Sequence, residues 1–220
     1  MIIGGYAVLA YGPPRYSDDV DLVIPSRAAA SVRAWLKSEG LQRTQRTVPN
    51  PQNYEGVAER YESDVITLDL LTDAVRDREA KVDIPERWIS SRARRMRLTA
   101  VLGRTSIDVP IARPEALWAL KLQAGRPRDV SDLFAIAETP FDAAEVEALF
   151  RELRTRALID KLRSVRSTAG TRKTRADCLS RLGLGPPTAP ANVRRWDRFL
   201  TTIDRIVGPL VEGDKRARSS

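Results

Sequence analysis

The chain has 220 residues, 42% apolar and 30% charged, with no histidine and a single cysteine, Cys178. That is enough apolar material for one good-sized core, or a core plus a small helical domain, and it excludes an internal disulfide and any catalysis or zinc site built on histidine. No run of about 18 apolar residues predicts a transmembrane helix, and Met1-Ile2-Ile3 is too short for a signal peptide, so a cytoplasmic protein using carboxylates and a hard cation is expected. Lys plus Arg against Asp plus Glu gives 20 against 19 over residues 1–140 and 17 against 10 over 141–220, so seven of the eight excess positive charges fall in the last third. A segregated basic excess suits a polyanion such as RNA; the alternative is a set of solvated arginine-rich helices.

The first informative stretch is Gly4 to Asp21, GGYAVLAYGPPRYSDDVD. Two glycines open an apolar helical turn, Tyr6 to Ala10, and would let backbone N–H groups approach a polyphosphate. Gly12-Pro13-Pro14 stops that helix. Asp19 and Asp21 alternate with Val20 and lead into Leu22-Val23-Ile24; in a strand, residues two apart share a face. Two carboxylates side by side repel unless a cation lies between them. The pair could equally be the solvated face of an edge strand.

Residues 26–39 predict a helix, with Ser26 as cap and Gly40 as stop. The segment around Val48 to Gly56 predicts a loop before a strand pair. Val65 to Leu71 predicts a strand with one carboxylate, Asp69, in an apolar run. Such a group costs several kcal/mol unless it is paired, metal-bound or able to reach solvent at the strand end. Residues 73–81 predict a short helix, 84–91 an irregular connection, and Arg94–Leu102 and Thr105–Ile111 two strands joined at Gly103-Arg104.

Pro114 starts a helix that is apolar nearly all round. Lys121 shares the stripe of Leu117, Leu120 and Ala124, so it should face inward and meet an anion. Residues 126–132 open another helix, where Asp129 and Asp132 lie three apart and could simply offset its dipole. From Phe141 the pattern is helical to Arg166, with Val146, Leu149, Phe150, Leu153, Leu158, Leu162 and Val165 at helical spacing. A basic loop is expected at 167–175, a short helix at 175–182, and a last helix from about 191 to 207, with 214–220 frayed.

The pattern GG, short helix, G-x-x-R-x-S-x-D-x-D resembles the nucleotidyltransferase superfamily in its abortive-infection, toxin-like branch. Leu117 to Leu133 resembles the L-x-x-x-K-x-x-A-x-R-x-[KR]-D-x-x-D-L signature of the same branch. The resemblance covers residues 2 to about 137 and implies an α/β (α+β) fold, with a mixed sheet and flanking helices over 1–137 and a basic helical C-terminal domain over 138–220. It implies transfer of a nucleoside monophosphate from an NTP, with Asp19, Asp21 and Asp69 holding Mg²⁺. Gly4 and Gly5 would cradle the phosphates, Arg15, Ser17 and Lys121 would line the nucleotide site, and Asp129 would orient Lys121. The toxin-like branch implies tRNA as acceptor and an antitoxin as partner, with no membrane. A small-molecule or protein acceptor, and a non-catalytic RNA- or partner-binding module, are the other readings. Ser17, two residues before Asp19, is a candidate for silencing by phosphorylation, or a plain turn residue. Members carry a helix and most of a strand ahead of the double glycine; here three residues precede it, so the first strand is expected to be short or unpaired.

Overall fold

The computed structural model describes residues 1–12, 17, 19–47, 57–77, 79–99 and 106–219, without the side chains of 99 and 214–219. In chain order the elements are β1 (Ile2–Ile3), α1 (Gly4–Leu9), β2 (Asp19–Ile24), α2 (Ser26–Ser38), β3 (Gln42–Thr47), β4 (Val57–Glu62), β5 (Thr67–Thr72), β6 (Ala74–Asp77), β7 (Val82–Pro85), α3 (Glu86–Ser90), β8 (Ala93–Thr99) and β9 (Ser106–Ala112). The helices α4 (Pro114–Ala124), α5 (Pro127–Ile136), α6 (Ala143–Glu152), α7 (Arg156–Ala169), α8 (Arg172–Arg181) and α9 (Pro190–Ser219) follow. The fold is mixed α/β, as the sequence predicts. Two compact units divide it: residues 1–10, 16–76 and 83–113 form the first, and 11–15, 77–82 and 114–220 the second.

The first unit is built on a seven-stranded sheet of order β3-β4-β5-β2-β1-β9-β8. β2 runs parallel to β5, and β1 parallel to β9, while the remaining neighbours are antiparallel. Short as it is, β1 is paired on both sides, Ile2 aligning with Leu22 and with Ile111. The two residues complete the sheet because each strand beside them supplies ladder partners, which corrects the expectation that this strand could be unpaired. One face of β2 and β5 is covered by α2, where Ile24, Leu68, Leu70, Tyr61, Ala29 and Leu36 close a core.

On β4, Glu59 carries its charge into that side of the sheet with its side chain fully buried, and three arginines close on it. Arg33 Nε is at 2.7 Å, Arg43 Nη1 at 2.9 Å and Arg46 Nε at 3.6 Å. A buried carboxylate is tolerable only with such partners. Strand β3, Q-R-T-Q-R-T, has no apolar alternation to announce it; its exposed polar side chains suit a sheet edge.

Residues 73–81 are not a helix. They form β6 and the turn into β7, a two-stranded sheet of their own. Asp73 and Lys81 adopt positive φ, 65° and 52°, which interrupts a helix at both ends. Asp77 Oδ1 accepts from Ala80 N at 2.6 Å to close the turn, and Arg76 bridges to Asp83 at 2.8 Å. The connection at 84–91 is likewise ordered, as the end of β7 and α3.

The second unit is helical around α4, whose residues from Pro114 to Gln123 are all buried. Trp118 stacks on Phe141 at 5.0 Å between ring centroids, and Phe134, Trp196 and Phe199 join the same aromatic group. The helical stretch from Phe141 breaks at 153–155, where Thr155 Oγ1 accepts from Leu158 N and caps α7. The loop expected at 167–175 shrinks to Gly170 and Thr171, because Thr171 caps α8 through Thr174 N. Helix α9 continues past 207, through Pro209 to Ser219, in place of the expected fraying. Leu210 and Val211, both 3% exposed, extend its apolar stripe and hold that turn. No helix among the described residues is long and apolar enough to cross a membrane.

Candidate active site

In the first unit, parallel pairing aligns Asp21 directly with Asp69, and Asp19 with Thr67. Asp19, Asp21 and Asp69 therefore come to one face from neighbouring strands, as the period-two pattern requires. One carboxylate oxygen from each lies within 4.8 Å of the other two, and all three residues are half-buried. Three hard anionic oxygens at this spacing are the donor type that Mg²⁺ takes, so the residues fit a divalent cation.

Gly4 contributes by what it lacks. Its φ is +64°, and a Cβ there would lie 1.8 Å from Asp21 Oδ2. The bare backbone leaves the space that the Asp21 carboxylate fills, and no L side chain adopts that conformation without strain. Gly5, by contrast, is buried inside α1. Ser17 Oγ donates to the Asp19 carbonyl at 3.4 Å, a long bond within the turn. Arg15 lies outside the described residues.

Nothing in the local sequence pattern points to Arg60. It stands on β4 opposite Asp69 in antiparallel register. Its Nε donates to Asp69 Oδ1 at 2.8 Å and its Nη2 to Oδ2 at 2.7 Å, a two-pronged bond, with Asp19 Oδ2 3.9 Å away. The hydrogen bonds it donates to Asp69, followed by the Asp69 charge, raise the guanidinium pKa further above its ordinary value. Within A-E-R-Y-E a strand arginine reads as solvated, and only the β4–β5 register gives it a partner.

Lys121 and Asp129 belong to the second unit. Lys121 is 7% exposed and faces inward, as its stripe predicts. Its Nζ lies 3.2 Å from Asp129 Oδ1 and 2.7 Å from Asp132 Oδ2, so the shorter contact goes to Asp132 rather than to Asp129, the partner the resemblance implies. Asp129 does both jobs: besides Lys121, its Oδ2 accepts from Arg126 N at 3.1 Å and Arg126 Nε at 2.7 Å at the start of α5. Burial alone would raise the Asp129 pKa, but the Arg126 hydrogen bond and the charges of Lys121 and Arg126 prevail and hold it below 3.8.

A carboxyl whose folded pKa is depressed contributes stability that is complete above its unfolded value and is lost as pH falls through the folded one. Urea unfolding followed downward from pH 5 should therefore show a loss of stability that begins near pH 3.8 and that Asp129→Asn diminishes. An acid limb with the same slope in the variant would mean that Asp129 is not the group responsible.

The family comparison gives the class of the chain, a nucleotidyltransferase. The chain belongs to the AbiEii nucleotidyl transferase toxin family of type IV toxin–antitoxin systems, whose model matches residues 2–202. Among solved structures it is similar to a candidate nucleotidyltransferase from H. pylori, at 17% identity and a TM-score of 0.40, over 96% of this chain and 88% of that one. It is also similar to JHP933 from Helicobacter pylori, at 15% identity and a TM-score of 0.39, over 100% of this chain and 88% of that one. A search of curated proteins gives no match.

Proposed function

We propose that this nucleotidyltransferase uses Mg²⁺ at Asp19, Asp21 and Asp69 to transfer a nucleoside monophosphate from an NTP to RNA, with a tRNA acceptor end as the target, in the cytoplasm and under the control of an antitoxin. The observation that carries the metal reading is the convergence of three carboxylates from β2 and β5 within 4.8 Å. A divalent cation there would neutralise charge on the triphosphate and favour the deprotonated acceptor hydroxyl. Asp21, seated against the backbone of Gly4, and Asp69, gripped by Arg60, fix two of the ligands before any substrate arrives. Gly4, Gly5, Arg15 and Ser17 are the proposed nucleotide contacts. Lys121, oriented by Asp129 and Asp132, is the proposed cation for the leaving pyrophosphate.

The RNA acceptor is supported by the basic excess of the C-terminal helices, residues 138–220 being the proposed RNA-holding domain. Many of those arginines have acidic partners: Arg163 pairs with Asp160, Arg166 with Asp204, and Arg198 with Glu138. Surface pairs of this kind are worth at most about 1 kcal/mol, so phosphates can take them over.

Purified full-length protein incubated with Mg²⁺, each α-labelled NTP in turn and total RNA should label RNA from one or a few nucleotides. EDTA should abolish the labelling, and rising salt should weaken it steeply. Label found only in a small molecule or in protein would replace RNA as the acceptor. No labelling with any divalent metal would overturn the proposal.

A further inference from the structure

Arg60 grips one carboxylate of the triad, that of Asp69, with both prongs of its guanidinium. The guanidinium places a positive charge inside the acidic cluster, against Asp69 and within reach of Asp19. The fork occupies one lone-pair direction on each Asp69 oxygen, and its Nη2 lies 2.7 Å from Asp69 Oδ2 and 3.9 Å from Asp19 Oδ2. Asp69 keeps further acceptor capacity, so a metal and Arg60 can share it. They repel each other while they do.

We infer that Arg60 is a resident counter-cation of the acidic triad: it holds Asp69 beside Asp19 in the metal-free protein and, by its charge, keeps metal binding weak until a nucleotide brings further negative charge. This rests on reading the triad as the metal site. Its side chain is 35% exposed, beside Asp19 and Asp69 at 29% and 26%, so solvent tempers the effect without removing it. Arg60 is thus a positioning residue that couples metal entry to substrate, a role independent of which NTP or acceptor is used.

The test is Mn²⁺ binding to the full chain without nucleotide, read by the loss of the free-ion electron paramagnetic resonance signal, for wild type, Arg60→Met, Arg60→Lys and Asp21→Asn. Arg60→Met should bind Mn²⁺ about tenfold more tightly than wild type, and Arg60→Lys, which keeps a point charge without the fork, should stay near wild type. Without metal, Arg60→Met should melt lower than wild type, and Mn²⁺ should raise its melting temperature by more. Equal or weaker Mn²⁺ binding by Arg60→Met overturns the inference, provided that wild type binds and Asp21→Asn does not. Arg60→Lys behaving like Arg60→Met would show that the fork rather than the charge matters, and would overturn it too. Binding by none of the four removes the metal-site reading itself, and this inference with it. Arg60→Met that stays unfolded even in Mn²⁺ would make Arg60 a structural partner only, again overturning it.

Discussion

Asp19→Asn and Asp21→Asn should each lose nucleotidyl transfer by a factor on the order of 10³ while melting no lower than wild type. A metal ligand contributes several kcal/mol of transition-state stabilisation, and each 1.4 kcal/mol is about tenfold in rate. The folded state should tolerate the change because neutralising one of three converging carboxylates relieves repulsion. Gly4→Ala approaches the same endpoint from the backbone: a Cβ would lie 1.8 Å from Asp21 Oδ2, so the carboxylate must leave its place. Transfer rates at saturating Mg²⁺ and melting temperatures without metal decide the matter together. Normal transfer by either Asp variant, or collapse of both folds, would dismantle the three-carboxylate site.

Lys121→Met is expected to be costly in a different currency. Its ammonium, with the side chain 9% exposed, satisfies two carboxylates that are 0% and 5% exposed. Removing one partner of a buried ion pair costs about 3–5 kcal/mol, because the charge left behind has no water. For a chain of this length that lowers the melting temperature on the order of 10 °C. Replacing the acid with the shorter bond as well, as Lys121→Met/Asp132→Leu, should recover at least half of the loss, since Asp129 keeps Arg126. Calorimetry of the two variants separates a structural contribution from a catalytic one: a Lys121→Met protein with wild-type stability and no activity would assign Lys121 to the reaction alone.

What could be read from the sequence was whatever local spacing encodes. The alternation of Asp19 and Asp21 put both on one face, Asp69 stood out as a charge in an apolar strand, and Lys121 lay on the stripe of a helix buried on every side. The partners of those groups were not legible, because strand register chooses them across the chain. Arg60 meets Asp69 only when β4 pairs antiparallel with β5. Asp132 outbids Asp129 for Lys121 by half an ångström, a distance no spacing rule contains. Polar β3 escapes the pattern because an exposed edge strand needs no apolar alternation, and β6 with the turn after it reads as a helix because the positive φ at Asp73 and Lys81 leaves no mark in a sequence without glycine there.

The adjacent residues Glu59 and Arg60 have a consequence for how β4 finds its place. Their side chains point to opposite faces of the sheet, the acid among Arg33, Arg43 and Arg46, the base toward Asp69 and Asp19. Sliding β4 by one residue would turn every side chain over. Glu59 would then confront two aspartates, and Arg60 three arginines. The strand thus carries a two-letter proofreading code: in the native alignment both faces are electrically matched, and in the nearest wrong one both are mismatched at once. Accurate seating of β4, and with it the grip on Asp69, is enforced by repulsion in the misaligned state as much as by attraction in the correct one.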